Sequence, residues 1–166
     1  SIGVQSFDTE HLHRLGRIHT ADHAMAAIRQ ARQAGFARVN VDLMHGLPEQ
    51  TVEQALIDLQ LAVEQGATHI SWYQLTIEPN TVFFRTQPTL PQDELLEKIQ
   101  AQGEAYLTAQ GFIQYEVSAW RKEQPSAQNL NYCQFGDYLA IGAGAHGKVT
   151  YPEGIYRFQK TRLPKD

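Results

Sequence analysis

Four short runs rich in β-branched and aromatic residues, at 2–5, 38–43, 69–76 and 112–117, recur along the chain, and the stretches between them carry the apolar spacing of helices. Their starts fall 31 to 43 residues apart, the repeat of a strand–helix–strand unit. Strands joined through a helix lie parallel, with right-handed crossovers and helices over at least one face. The pattern therefore predicts an α/β fold. Two architectures use that unit, the open doubly wound sheet and the (β/α) barrel, and a barrel closes with about eight strands. Four strands make either an open sheet or part of a barrel. Because Ser1-Ile-Gly-Val-Gln5 already reads as mid-strand, we expect a piece of something longer.

Chemical marks set the helix boundaries. Thr20 can cap a helix over 22–34, in which Met25, Ile28 and Ala31 share a face and Gly35 forms the exit. Thr51 and Gln54 form a capping box ahead of a stripe of Val52, Leu56, Leu59 and Val63, closed by Gly66. A third helix is predicted from near Pro91 to Gly111, with Leu95, Ile99, Tyr106 and Leu107 turned inward. Beyond Trp120 comes a polar stretch at 121–128, then an apolar strand over 138–142, then a glycine-rich tail.

Fourteen Lys and Arg against eighteen Asp and Glu give a net charge of -4, which offers no basic surface to a nucleic-acid backbone. No apolar run approaches the roughly 18 residues that span a bilayer, and no secretory leader pattern is visible. A cytoplasmic protein without a membrane segment is expected. The single cysteine, Cys133, excludes an internal disulfide and cannot by itself cage zinc or an iron–sulfur cluster.

In parallel α/β folds ligands bind beyond the carboxyl ends of the strands, which singles out Gln5, Asp42 and Gln74. Asp42 places a carboxylate inside an apolar strand, where it needs donors from a ligand hydroxyl, an arginine or the backbone of the next loop. Gly142-Ala-Gly-Ala-His-Gly147 has the spacing of a dinucleotide fingerprint. It runs into an extended-looking segment, not a helix, and only Asp166 stands near the distance of a ribose-binding acid, so a tight turn is expected instead. His11, His13, His19 and His23 crowd together without a carboxylate or thiolate that would complete a metal pattern, and they read as surface-helix residues. His45 reads as a loop residue, Cys133 as inert, and Trp72 and Tyr73 as core aromatics of a strand.

Several strings, in order, resemble one family. Ser1-Ile-Gly-Val-Gln-Ser-Phe7, Leu15-Gly-Arg17-Ile-His, Asp42-Leu-Met-His-Gly-Leu-Pro48, Trp72-Tyr-Gln-Leu-Thr-Ile-Glu-Pro-Asn-Thr81 and Asn129-Leu-Asn-Tyr-Cys-Gln-Phe-Gly-Asp-Tyr138, running into Ile141-Gly-Ala-Gly-Ala-His-Gly-Lys148, look like the HemW branch of the oxygen-independent coproporphyrinogen III oxidase-like radical SAM proteins. The resemblance covers essentially the whole chain. It implies a partial (β/α)6 barrel of parallel strands with outer helices that binds S-adenosylmethionine (SAM) and a [4Fe–4S] cluster, followed by a smaller domain. Residues 1–120 would then be the latter part of the barrel. Residues 121–166 would be a final strand, the glycine-rich loop and the start of the accessory domain.

On the family pattern Gln5, Arg17 and Asp42 match positions that contact SAM, with Asp42 on ribose hydroxyls and Arg17 and Gln5 donating toward the polar end. Thr76 matches a position whose backbone approaches the adenine. The three-cysteine cluster loop is expected upstream of Ser1, so no cofactor would be required by this piece alone. The branch is regarded as haem chaperones, with haem or a porphyrin and haem-acceptor proteins as partners. The alternatives are oxidative decarboxylation of coproporphyrinogen III and a haem-binding module without turnover. The branch's haem string, H-N-x-x-Y-W, reads Gln128-Asn129-Leu-Asn-Tyr132-Cys133 here. Asn129 and Tyr132 match, while glutamine is a poor iron ligand where the family has histidine. His146 in the glycine-rich turn is the nearest histidine, either a haem ligand or a group hydrogen-bonded within its loop.

Overall fold

The computed structural model describes residues 1–162. The chain divides into two compact units, Ser1–Gln124 and a second that starts at Pro125.

In the first unit β1 (Ile2–Gln5), β2 (Asn40–His45) and β3 (His69–Gln74) pair in parallel, in sequence order, as the repeat predicts. The fourth run departs from that expectation. It forms β4 (Ile113–Glu116), but a short return strand, β5 (Ala119–Arg121), lies between β3 and β4 and is antiparallel to both, giving the order β1-β2-β3-β5-β4. Val117 and Ser118 alone join the two strands, too little chain for a crossover, so β4 and β5 must form a hairpin. Ala119 and Trp120 are buried while Ile113 is exposed, and the more buried strand takes the place beside β3.

Helices α1 (Thr9–Arg14), α2 (Ala21–Gln33), α3 (Val52–Glu64), α4 (Val82–Thr86) and α5 (Asp93–Ala109) fill the connections. Thr20 and Thr51 cap α2 and α3, each in a capping box whose other half is His23 or Gln54. Ile28 from α2, Leu59 from α3, and Ile99 and Leu107 from α5 share one apolar core with Val4, Val41, Leu43, Ile70 and Trp72 of the sheet. The buried face of α3 is rotated from the expected stripe: Ala55, Asp58, Leu59 and Ala62 face inward, with Val52 and Val63 at the margin. β1 pairs with β2 at the edge of the sheet, and its Ile2 is half-buried against the core. Val4 is fully buried, and its carbonyl meets the ring of His19 at 3.0 Å.

The second unit contains α6 (Ala127–Cys133) and a hairpin of β6 (His146–Tyr151) and β7 (Gly154–Gln159). The predicted strand over 138–142 does not form. Only Tyr138 bridges to Lys148, Leu139 and Ile141 are exposed, and Gly142 and Gly144 take φ of 93° and 69°, left-handed turns that curl the chain out of any ladder. At its centre stands a lysine. Lys148 is buried and donates to the Phe135 carbonyl and Asp137 Oδ1, each at 2.8 Å, and to Thr150 Oγ1 at 3.0 Å, with its ammonium 4.3 Å from the Phe135 ring centroid. The expected extent of this part, 121–166, includes four residues outside the described ones, as does Asp166 of the dinucleotide reading.

Candidate functional site

Alternation along β2 and β3 divides the sheet chemically. Val41, Leu43 and Trp72 turn toward the helices, while Asn40, Asp42, Met44, Ser71 and Tyr73 turn to the opposite side. That side is polar and already wired together. Asn40 Nδ2 donates to Asp42 Oδ1 at 2.7 Å and to Ser71 Oγ at 3.0 Å, and Ser1 Oγ donates to both Asp42 oxygens at 2.8 and 2.9 Å.

Gln5 joins this face through an irregularity. Gly3 pairs opposite Asp42, but Gln5 pairs opposite Leu43, one step early, and its φ is 71°. The slip leaves Val4 in the helix-side core while the Gln5 side chain reaches Tyr73, whose hydroxyl donates to Oε1 at 2.8 Å. A Cβ on Gly3 would lie 3.0 Å from Gln5 Nε2, so the glycine makes room for the amide. Burial pushes the Tyr73 phenol up, the Asp42 carboxylate adds to that shift, and the Arg17 guanidinium opposes it. Gln5 from β1 thus bonds the tyrosine directly, and the charges of Asp42 from β2 and of Arg17 from the loop after α1 bear on it in opposite directions.

Arg17 and Thr76 meet in a cleft of about 340 Å³ at the carboxyl ends of β2 and β3, lined also by Met44, Leu75 and Phe83. Gln5 and Asp42 do not line this cleft; Met44, two residues past Asp42 on the same face of β2, does. The Arg17 amide donates to the Leu12 carbonyl at 2.9 Å, while its guanidinium makes no hydrogen bond or ion pair among the described residues and is available. Gln74 is not brought into this group: it lines a separate cavity with His45 and Trp72. His45 is not a loop residue. It ends β2, buried on the helix side with its ring centroid 4.3 Å from that of Trp72, and burial pulls its pKa down to about 4.

The early histidines are structural, though not all on a helix surface. His11 is buried in α1, His19 precedes α2, and His23 completes the cap of that helix. Among the described residues no group of three His, Cys, Asp or Glu could hold a metal. Cys133 is exposed at the end of α6.

Within the second unit Tyr132 packs edge-on against Tyr138 at 4.9 Å, and Asn129 sits one turn earlier on α6. Tyr138 in turn lines a small cleft with His146, Gly147, Arg157 and Phe158. His146 is exposed, and its ring makes no hydrogen bond among the described residues, so the loop-bound alternative is not what the structure contains. Of the glycines around it, Gly147 is already covered: an added Cβ would fall within 2.8 Å of three Phe158 ring atoms. The glycine-rich segment runs into β6, not into a helix, as a tight turn requires.

The sequence reading missed Tyr73, Asp58 and Lys148. Asp58 carried a signal: it stands in register with Ala55, Leu59 and Ala62, on a face that should be apolar. The Ser6 hydroxyl and the Phe7 amide donate to its carboxylate, and burial pushes its pKa up to about 7 against those bonds.

A family model described as the Radical SAM superfamily matches residues 1–62. The haem chaperones HemW of Haemophilus influenzae and of Escherichia coli are each 55% identical to the chain over 99% of its length and 44% of theirs. HemW of Bacillus subtilis is 34% identical over 90% of the chain and 41% of its own length. The chain therefore spans less than half of the curated relatives it matches. The solved structure of coproporphyrinogen III oxidase, HemN, a radical SAM enzyme from Escherichia coli, superimposes with a TM-score of 0.73 over 97% of this chain and 40% of that one. Its identity is 20%, a likeness of fold.

Proposed function

The chain belongs to the HemW-type radical SAM proteins, and from that membership we propose that its first unit forms part of the SAM cradle of a cytoplasmic haem chaperone. The observation that carries this reading is geometric: Asp42 and the hydrogen-bonded pair of Gln5 and Tyr73 share the polar face of the sheet, and Arg17 and Thr76 line the cleft at the carboxyl ends of its strands. The residues fit the ligand. Asp42 offers acceptors for a ribose diol, Arg17 a free guanidinium for a carboxylate, and Gln5 an amide NH₂ whose oxygen is already engaged. Thr76 and Arg17 line the cleft together with Met44, Leu75 and Phe83, whose apolar side chains suit a flat base. When bound, SAM supplies an adenosyl sulfonium.

The iron–sulfur cluster fits differently. One exposed cysteine cannot hold it, so no step through a cluster is assigned to these residues. For haem we propose the surface around Asn129, Tyr132 and His146, with delivery to acceptor proteins as the outcome. Oxidative decarboxylation of coproporphyrinogen III has only the fold likeness in its favour.

Two titrations of the full-length protein test the reading. Asp42→Ala should weaken SAM binding by about 1–3 kcal/mol, the scale of lost hydrogen bonds to a charged group; unchanged affinity removes Asp42 from the site. Haem titration followed at the Soret band should lose its affinity in His146→Ala if this imidazole is the ligand. If that variant binds as wild type does and Gln128→His binds far more tightly, the family position is the site and His146 is not.

A further inference from the structure

We propose that Asp58, on α3 behind the sheet, is a positioning residue for Gln5: it holds the loop that leaves β1 in the one conformation that turns the Gln5 amide onto the polar face. The proposal rests on reading that face as a SAM site.

Gln5 is a side-chain-bearing residue in the left-handed region, at φ 71°, immediately after a slip of register. Such a conformation persists only where the surroundings over-determine it. The restraint lies in the next three residues. Ser6 Oγ lies 2.8 and 3.1 Å from the two Asp58 oxygens, Phe7 N donates to Oδ1 at 2.6 Å, and Asp8 N donates to Ser6 Oγ at 3.0 Å. Ser6 and Asp58 are both fully buried, and 52 positions separate them in sequence. A carboxylate on the inward face of a helix is costly unless donors compensate it, and apolar residues surround it there, so packing alone does not call for an acid. Both of its oxygens serve the same short segment of backbone.

On the far side of that segment the consequence is geometric. With Ser6 and Phe7 fixed, the only freedom left to Gln5 is its side chain, and Tyr73 fixes that through Oε1. The amide nitrogen is then the donor left over, held above Gly3, where a larger residue would push it away. Three elements of the fold, α3, the loop after β1 and β3, aim one NH₂ group.

The test is a double-mutant cycle on the full-length protein, with SAM titrated into Gln5→Ala, Asp58→Asn and the double variant, and a urea midpoint for each. Asparagine keeps an acceptor for Phe7 N and loses the second for Ser6; Ser6→Ala serves as the independent variant should Asp58→Asn not fold. We expect Asp58→Asn to weaken SAM about tenfold, Gln5→Ala to weaken it at least as much, and the double variant to lose no more than Gln5→Ala alone. Additive losses overturn the proposal, because Asp58 would then act on affinity without Gln5. So does wild-type affinity in Asp58→Asn when Gln5→Ala is impaired. If Gln5→Ala binds SAM normally, it is the SAM reading that fails. The side-chain amide resonance of Gln5 then decides separately: moved in Asp58→Asn it upholds positioning, unmoved it ends it.

Discussion

Replacing Gly103 by alanine sets two well-measured effects against each other. Inside an ordinary helix the change gains about 1 kcal/mol, since alanine is the better helix former. Gly103 is buried in α5 against Trp72, and a Cβ there would lie no farther than 2.7 Å from three atoms of the indole's six-membered ring. Carbon atoms in contact sit about 3.5–4.0 Å apart, so the ring would have to retreat by about 1 Å. Its retreat is restricted: Trp72 is 4% exposed, the ring of His45 stands 4.3 Å away between centroids, and the space beside it is the cavity that the two rings line. Overpacking of this kind costs about 1–3 kcal/mol, which leaves a net destabilisation of about 0–2 kcal/mol after the gain in propensity. Trp72→Phe removes the offending ring. In that background Gly103→Ala should be neutral or should stabilise by up to about 1 kcal/mol. Urea unfolding followed by far-ultraviolet ellipticity reads both, since the indole itself is altered, and equal slopes would show that compactness has not changed. Stabilisation of the wild-type chain by Gly103→Ala would refute the reasoning.

Two further outcomes concern pH. Asp58 is raised to about 7 by burial from an ordinary 3.8, so its contribution is complete below the unfolded value and is lost as pH rises through 7. Urea midpoints taken near pH 5 and near pH 8 should fall with rising pH in the wild type and fall less in Asp58→Asn; equal falls would discard the assignment. Asp137 moves the other way. Hydrogen bonds from Lys148 and Thr150 hold it down at about 2, so its stabilisation is present above the ordinary 3.8 and disappears as pH falls through 2. The amide signals of β6 and β7 should therefore disperse less as acid is added, and Asp137→Asn should show no such midpoint.

The parallel core was legible because its signals are local. β1 to β3 announce themselves by β-branched residues, and the capping boxes at Thr20 and Thr51 mark helix starts in four residues each. β5 was not legible, since three residues, Ala119–Arg121, show no period, and their place beside β3 is decided by burial of Trp120, a tertiary fact. The segment 138–142 misled for the converse reason: it is apolar enough for a strand, but two glycines in left-handed turns end it before a ladder can form. In the candidate site, Asp42 and Gln5 stood out as polar residues in apolar strands. Tyr73 did not, because a strand tyrosine looks the same whether its hydroxyl faces core or cleft. Asp58 and Lys148 were hidden by the habit of charged side chains to lie outside.

The polar face has a further consequence for how a ligand would be greeted. Asn40, Asp42, Ser71, Tyr73 and Gln5 already restrain one another through short hydrogen bonds before anything arrives. Little ordering would remain to be done on encounter, and a guest would displace water from amides and hydroxyls instead of from hydrocarbon. Association at this face should therefore carry only a small change in heat capacity, with enthalpy supplying most of the affinity.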